Sequence, residues 1–372
     1  MLYILYIIIS IALWIYSYGF LDYNLTLSSH PLFLRLVGSL QHLIYFDRPN
    51  SIKVYLIIMG IMFALYALIL AYWKNKKIIK LPWKIILIII SVLTFAYPML
   101  SYDVFNYMFH GKILWFYHMN PHLHAPLEFT GDLWLRFMRW VHTPSAYGPV
   151  FTAIESPAYL FGLGKFVPVL YLMKISMSGF FVWCIYLVGK IGEELNFAKS
   201  KIVQSQLFLA LNPFLLLDVV VNGHNDAVMI AFLLLSILYS LKSKLLPSFV
   251  ALIASVGTKY VTALTLPLYF IKNPKMKILF TSLVLLLPVL ILPGRFQPWY
   301  LVWAIIPTVL VDHALARIWI VLASLAGLAY YVPYIATGFW LNSLNFVSLI
   351  VYLPILTSGS IWSIKKLWTK TK

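Results

Sequence analysis

Two apolar runs, VYLIIMGIMFALYALILAYW (54–73) and WKIILIIISVLTFAYPML (83–100), flank the segment KNKKIIK (74–80) and lead into Ser101-Tyr102-Asp103. Each run has the roughly 18–20 apolar residues needed to cross a bilayer as a helix. Four of the seven residues between them are lysine, and Lys84 follows closely. A short lysine-rich loop between two spans marks the cytoplasmic side. The second run, Trp83–Leu100, therefore leads outward, and Asp103 falls on the non-cytoplasmic side. A carboxylate at the mouth of a membrane helix reads as a functional group by default.

The rest of the composition agrees with a membrane solvent. Hydrophobic residues make up 62% of the 372 and charged residues 10%, against about a quarter charged in soluble domains. Mean hydropathy is +0.89. The net charge of +17 does not imply nucleic-acid binding, because the lysines cluster in short loops between apolar runs, where topology alone places them. The single cysteine, Cys184, offers neither a disulfide framework nor a cysteine metal site. The opening run Leu2–Phe20 has no basic start and no small-residue cleavage site, so it reads as a retained first span.

The remaining segments read as spans at about Val167–Gly189, Ile202–Val221, Ala227–Leu241, Ile278–Pro293, Tyr300–Leu310, Arg317–Ile335 and Phe346–Ile364. The run Leu245–Ile271 is interrupted at Gly257-Thr258-Lys259-Tyr260, so it either spans twice or dips in and returns. A basic tail follows, with Lys365, Lys366, Lys370 and Lys372. The expected fold is an all-α polytopic membrane protein of about 11–13 transmembrane helices. It forms one domain over residues 1–372, with both termini cytoplasmic and no separate soluble domain. The large outer loop, 101–148, is rich in aromatics. Its sections Val104–His118 and Asp132–His142 are predicted to be helices lying in the membrane interface. Val150–Gly162 is too short to span. Asn24-Leu25-Thr26 is a formal N-glycosylation triplet in a loop expected outside.

The rare polar groups gather in loops on the outer side. These carry Tyr102-Asp103 with Asn106, His110 and Lys112, then Tyr147-Gly148-Pro149, Asn222-Gly223-His224-Asn225-Asp226, Lys259-Tyr260, and Arg295 with Gln297, Pro298 and Trp299. Asp218 lies one to two turns before the second histidine-containing loop. Plainer roles exist for each. Asp103 and Asp226 both sit where an N-cap would. Lys259 reads as a snorkelling lysine and Arg295 as an interface anchor. His118, His122 and His124 suggest a metal site with Glu128 or Asp132. The spacing is loose, so metal is not expected, with His122 and His124 the weak candidates.

Taken together the loops describe a cavity at the outer membrane boundary. A carboxylate such as Asp103 can act as general base toward an acceptor hydroxyl. Lys259, Arg295 and His224 can hold a phosphate leaving group, and Trp299 and Tyr147 suit a sugar ring. The chain has no G-x-x-x-x-G-K-[ST] and no G-x-G-x-x-G segment, which fits a donor that arrives on a lipid phosphate. Two other classes remain: a flippase or transporter for a lipid-linked glycan, and an O-antigen-type polymerase or ligase. A flippase needs polar groups along its whole path, whereas a polymerase or ligase depends more on arginine and histidine than on one aspartate.

In order and spacing these motifs resemble the GT-C superfamily of lipid-phosphate-sugar-dependent glycosyltransferases, and most of all its prokaryotic polyprenol-phosphomannose-dependent mannosyltransferases. The resemblance rests on Tyr102-Asp103 through Gly111 to Asn120-Pro121, on Tyr147-Gly148-Pro149, and on Asn212-Pro213 with Asn222–Asp226. It rests further on Lys259-Tyr260 with Pro267, and on Gln297-Pro298-Trp299-Tyr300 with Trp303 and Pro307. It implies a GT-C-like fold in a prokaryotic plasma membrane. Hexose, mannose, passes from a polyprenyl (dolichyl-type) phosphate sugar to a hydroxyl of a glycan or lipid-linked acceptor on the outer face. Transfer is direct and inverting, with Asp103 as base and no cofactor. The resemblance also implies donor contacts at Asn222, His224, Asn225, Asp226, Lys259 and Tyr260. Two positions depart from the pattern: His122 stands where an aromatic is expected, and Asp218 where a glutamate is expected. The lack of a large C-terminal soluble domain argues against an oligosaccharyltransferase.

Overall fold

The computed structural model describes residues 1–76 and 78–370, with the side chains of 364–370 not among them. Lys77 and the side chains of the basic tail at Lys365, Lys366, Lys370 and Lys372 lie outside the described residues. The described chain is a bundle of helices without strands. Five helices are long and apolar enough to cross a membrane: Arg48–Lys76, Phe166–Glu194, Pro274–Ile291, Ala314–Thr337 and Leu344–Ser363. A sixth candidate is a bent pair, Lys199–Ala210 with Pro213–Val221. Shorter apolar helices, among them Leu2–Tyr18, Trp83–Thr94 and Asp226–Leu241, fill the space between them. Many spans read as continuous in the sequence are thus short or broken, and the breaks have local causes.

At the bent pair the helices meet at 45°. Pro213 has no N–H and cannot continue a helix from Leu211, but it suits the first position of the next one. The Asn212 side chain caps that new start, its Oδ1 accepting from Phe214 N at 3.0 Å and Leu215 N at 3.3 Å. Its Nδ2 donates to Ser324 Oγ at 2.8 Å, so the break is tied to a neighbouring helix. A π-helical turn over Leu216–Val221 follows. Asn222 follows the turn, and then Gly223, whose φ of +74° suits a residue without Cβ.

The run 245–271 resolves into two helices, Leu245–Val256 and the 3-10 helix Tyr260–Phe270, hinged at Gly257–Lys259. The hinge is clamped by Tyr147-Gly148-Pro149. Gly148 N donates to Thr258 O at 3.0 Å, and Val150 N to Gly257 O at 2.9 Å. A Cβ on Gly148 would lie 2.1 Å from the Gly257 carbonyl oxygen, so the two backbones can approach only because that position is glycine.

The expected interfacial helices need correction. The first forms, as Asp103–Trp115, but it is buried along almost its whole length, from Asp103 to Gly111. It packs against Pro149–Phe161 and Phe166–Glu194 through its apolar residues, while Asp103, Asn106 and His110 share the face that lines a cavity. Gly111 permits the close approach to the Pro149–Phe161 helix; its Cβ would stand 3.3 Å from Tyr159 Cβ. The second contracts to a 3-10 turn, Leu133–Phe137, capped by Asp132, which accepts from Trp134 N at 2.9 Å. Asp132 also takes Lys112 Nζ at 2.5 Å and the Tyr117 hydroxyl at 2.8 Å. That three-way hold fastens the loop to the helix end.

Candidate active site

Asp103 is the first residue of its helix, but it does not cap it. No side chain caps this helix, and the Asp103 amide bonds instead to Ser101 Oγ at 3.3 Å. Its carboxylate is free for other work. Oδ1 accepts from Trp140 Nε1 at 3.0 Å, across 37 residues of chain. Asn106, one turn along the same helix, donates to the Trp140 carbonyl at 3.1 Å. One helical face thus holds both the backbone and the indole of Trp140, and Trp140 orients the carboxylate. Burial pushes the Asp103 carboxyl up to about 6, against the opposing pull of Lys259 and the Trp140 hydrogen bond.

Two cavities meet at this carboxylate. The larger, about 890 Å³, is lined by Asn106, His110, Tyr147, Lys259, Tyr260, Arg295, Tyr300 and Trp303. The smaller, about 480 Å³, is lined by Tyr102, Arg139, Tyr330, Tyr334, Trp340 and Asn342. Asp103, Trp140, Gln297 and Trp299 line both. Each volume lies in the range of small-ligand sites, about 300–1,000 Å³.

The larger cavity carries the cations. Lys259 donates to Asp226 Oδ1 at 2.7 Å, and its ammonium lies 5.5 Å from the Tyr147 ring centre and 5.8 Å from that of Trp303. Asp226 accepts from Trp303 Nε1 as well. Asp226 therefore aims Lys259 and does not cap its own helix, which has no side-chain cap. Arg295 has no carboxylate within ion-pair distance among the described residues. It is the cation on this wall whose charge is not already neutralised.

The segment Asn222–Asp226 lies behind the wall. Asn222, His224, Asn225 and Asp226 are fully buried, and none of them lines either cavity. Asn222 Oδ1 accepts from Leu100 N at 3.2 Å, fixing the approach to Asp103. His224 stacks on Trp299 with ring centres 4.3 Å apart. Three carboxylates surround it: Asp103 at 3.7 Å, Asp218 at 3.9 Å and Asp226 at 4.0 Å. Asp218 accepts from the Tyr331 hydroxyl at 2.5 Å. Both His224 nitrogens, both Asn225 side-chain polar atoms, and one oxygen each of Asp218 and Asp226 are buried without a hydrogen-bond partner among the described residues. Such groups cost about 1–3 kcal/mol each and concentrate where function demands them.

The other residues singled out from the sequence divide in the same way. Tyr102, Tyr147, Tyr260, Gln297 and Trp299 reach a cavity. His110 does too, and pairs with the buried Glu155 at 3.5 Å. Lys112 does not; it serves Asp132. The two histidines considered for metal separate. His122 Nε2 is 2.9 Å from Thr152 Oγ1, and His124 pairs with Glu128 at 2.7 Å. Among the described residues no three His, Cys, Asp or Glu side chains are arranged to hold a metal ion. Trp140, Tyr334 and Trp340 were not legible as site residues, since aromatics are 17% of the chain and one more gives no signal; Arg139 was also missed.

A helical membrane bundle with a carboxylate where a cationic cavity meets an aromatic one is the arrangement expected of a polytopic membrane glycosyltransferase of the GT-C type. The family model MptA_B family, described as alpha-(1->6)-mannopyranosyltransferase, N-terminal domain, matches residues 26–272. That is more than half of the chain, so the chain belongs to this family and is a membrane mannosyltransferase. Comparison with curated proteins and with solved structures gives no significant match.

Proposed function

We propose that the protein transfers mannose from a polyprenyl phosphate mannose to a hydroxyl of a glycan or lipid-linked acceptor, on the non-cytoplasmic face of the membrane. The observation that carries this reading is the position of Asp103, at the junction of a cavity bearing Lys259 and Arg295 and a cavity bearing aromatic rings. The donor phosphate occupies the first cavity. Arg295 meets its charge through a charge-assisted hydrogen bond, and Lys259 is held in place by Asp226. The sugar lies toward Trp299 and Asp103.

The reaction is a single displacement. The acceptor oxygen forms a bond to the anomeric carbon while the bond from that carbon to the phosphate oxygen breaks. The hydroxyl proton passes to Asp103, and polyprenyl phosphate leaves with the bonding pair. A β-linked donor then gives an α-linked product, in agreement with the alpha-(1->6) description of the family. A carboxyl with a pKa of about 6 is ionised at neutral pH, yet basic enough to take a proton in the transition state. His224 does not touch substrate. It supports Trp299 and Asp103 from behind. The reaction needs no divalent metal, since cationic side chains meet the leaving charge.

The test is to supply purified, reconstituted protein with a panel of polyprenyl phosphate sugars and a mannoside acceptor, and to identify the product by NMR. An α-(1→6)-linked mannoside formed from the mannose donor is expected. Consumption of another sugar, or a β-linked product, would overturn the donor or the displacement chemistry.

A further inference from the structure

Tyr330, Tyr334, Trp340 and Asn342 build one wall of the smaller cavity, and they lie beyond residue 272, where the family match ends. Tyr334 and Trp340 stack face to face, with ring centres 4.3 Å apart and planes within 13°. Tyr331 meets the Trp340 ring edge-on at 6.0 Å. Trp340 nonetheless keeps 40% of its surface exposed. The turn that presents it is built for the purpose. Gly338 has φ +82°, a conformation that favours glycine, and Phe339 N donates to Thr337 Oγ1 at 3.1 Å. Across the cavity the Arg139 guanidinium lies 4.9 Å over the Tyr102 ring. It is the one cation among the residues lining this space.

We propose that this wall is the acceptor site, and that it takes the neutral pyranose end of a glycan, stacked on Trp340 with its reacting hydroxyl directed at Asp103. This rests on the donor assignment of the larger cavity. A base that deprotonates the acceptor must lie between the two substrates, and Asp103 is the carboxylate that lines both spaces. A rigid, partly exposed indole backed by a second ring offers a flat apolar face to the C–H face of a sugar at little entropic cost. Arg139, Asn342 and Gln297 supply hydrogen-bonding groups for its hydroxyls. With one cation against Asp103, the space does not favour an anionic ligand. Tyr331 ties the wall to the catalytic end, because its hydroxyl holds Asp218 at 2.5 Å.

Binding can be measured without any donor, which separates this proposal from the donor reading. Purified protein is titrated with a linear α-(1→6)-linked mannotriose, free or carried on a lipid, and followed by saturation-transfer NMR and tryptophan fluorescence. Saturable binding is expected for the wild type, about tenfold weaker in Trp340→Ala and largely restored in Trp340→Phe. In turnover, Trp340→Ala raises the acceptor KM about tenfold and leaves the donor KM in place. Binding by the lipid-carried sugar alone, lost in Trp340→Ala, keeps the site and identifies a lipid-linked acceptor. Equal binding in wild type and Trp340→Ala, no saturation with either ligand, or a donor KM that moves instead would overturn the proposal. Thermal melting of Trp340→Phe confirms that the fold survives.

Discussion

The two cavities that meet at Asp103 differ in how they are built. The larger carries two cations, Lys259 fixed by a buried partner and Arg295 without one among the described residues. Lys259 is aimed by Asp226, Asp226 is held by Trp303, and the whole rests on the buried Asn222–Asp226 turn. The smaller sets one cation, Arg139, against Asp103, and its faces are mostly rings held by other rings. Electrostatic preorganisation serves a developing phosphate charge, which needs dipoles and cations already in place. Ring faces serve a neutral sugar, whose binding depends on shape. One carboxylate serves both because it belongs to the helix between them.

Substitutions can break this division at graded cost. Asp103→Asn removes the base while keeping the size of the side chain and its contact with Trp140. Transfer is expected to fall about 10²- to 10⁴-fold with the protein still folded, as read by radiolabel transfer and thermal melting. Arg295→Gln takes away a charge-assisted contact of about 1.5–3 kcal/mol, so donor kcat/KM falls roughly 10- to 100-fold while the acceptor KM holds. A matching rise in both KM values would show that the cavities are not separate. Gly148→Ala forces the backbones at 148 and 257 apart and destabilises the fold by about 1–3 kcal/mol, seen as a lower melting temperature. The smallest effect is expected from a chelator. Excess EDTA should leave transfer unchanged, and a loss restored by added Mg²⁺ or Mn²⁺ would require a metal in the donor cavity.

The class of the fold was legible from apolar length and lysine placement, and so was the grouping of Asp103, Lys259 and Arg295, which line one cavity. In a chain with 10% charged residues, each charge away from a basic loop needs a reason. The number and length of the spans were not legible. The break at Gly257-Thr258 was legible as an interruption, but Asn212-Pro213 looks like a minor feature inside one span, and there Asn212 and Pro213 end one helix and start another through specific hydrogen bonds. The Asn222–Asp226 turn announced itself as functional, yet nothing in its order told whether it forms the wall of the cavity or the support behind it. That depends on Trp299, which covers His224 from more than 70 residues away. Trp140 and Trp340 were invisible for a simpler reason. Their roles come from long-range contacts, and their residue type is common here.

The most direct test of the base is the pH dependence of transfer in a single turnover, where product release does not intervene. Burial raises the Asp103 carboxyl to about 6, so it is protonated and unable to accept a proton below that pH. The rate should rise about tenfold per pH unit below about pH 6 and level off above it, and Asp103→Asn should lose this dependence along with most of the rate. A wild-type rate that stays flat through this range, or an Asp103→Asn variant that keeps the same profile, would show that another group takes the acceptor's proton.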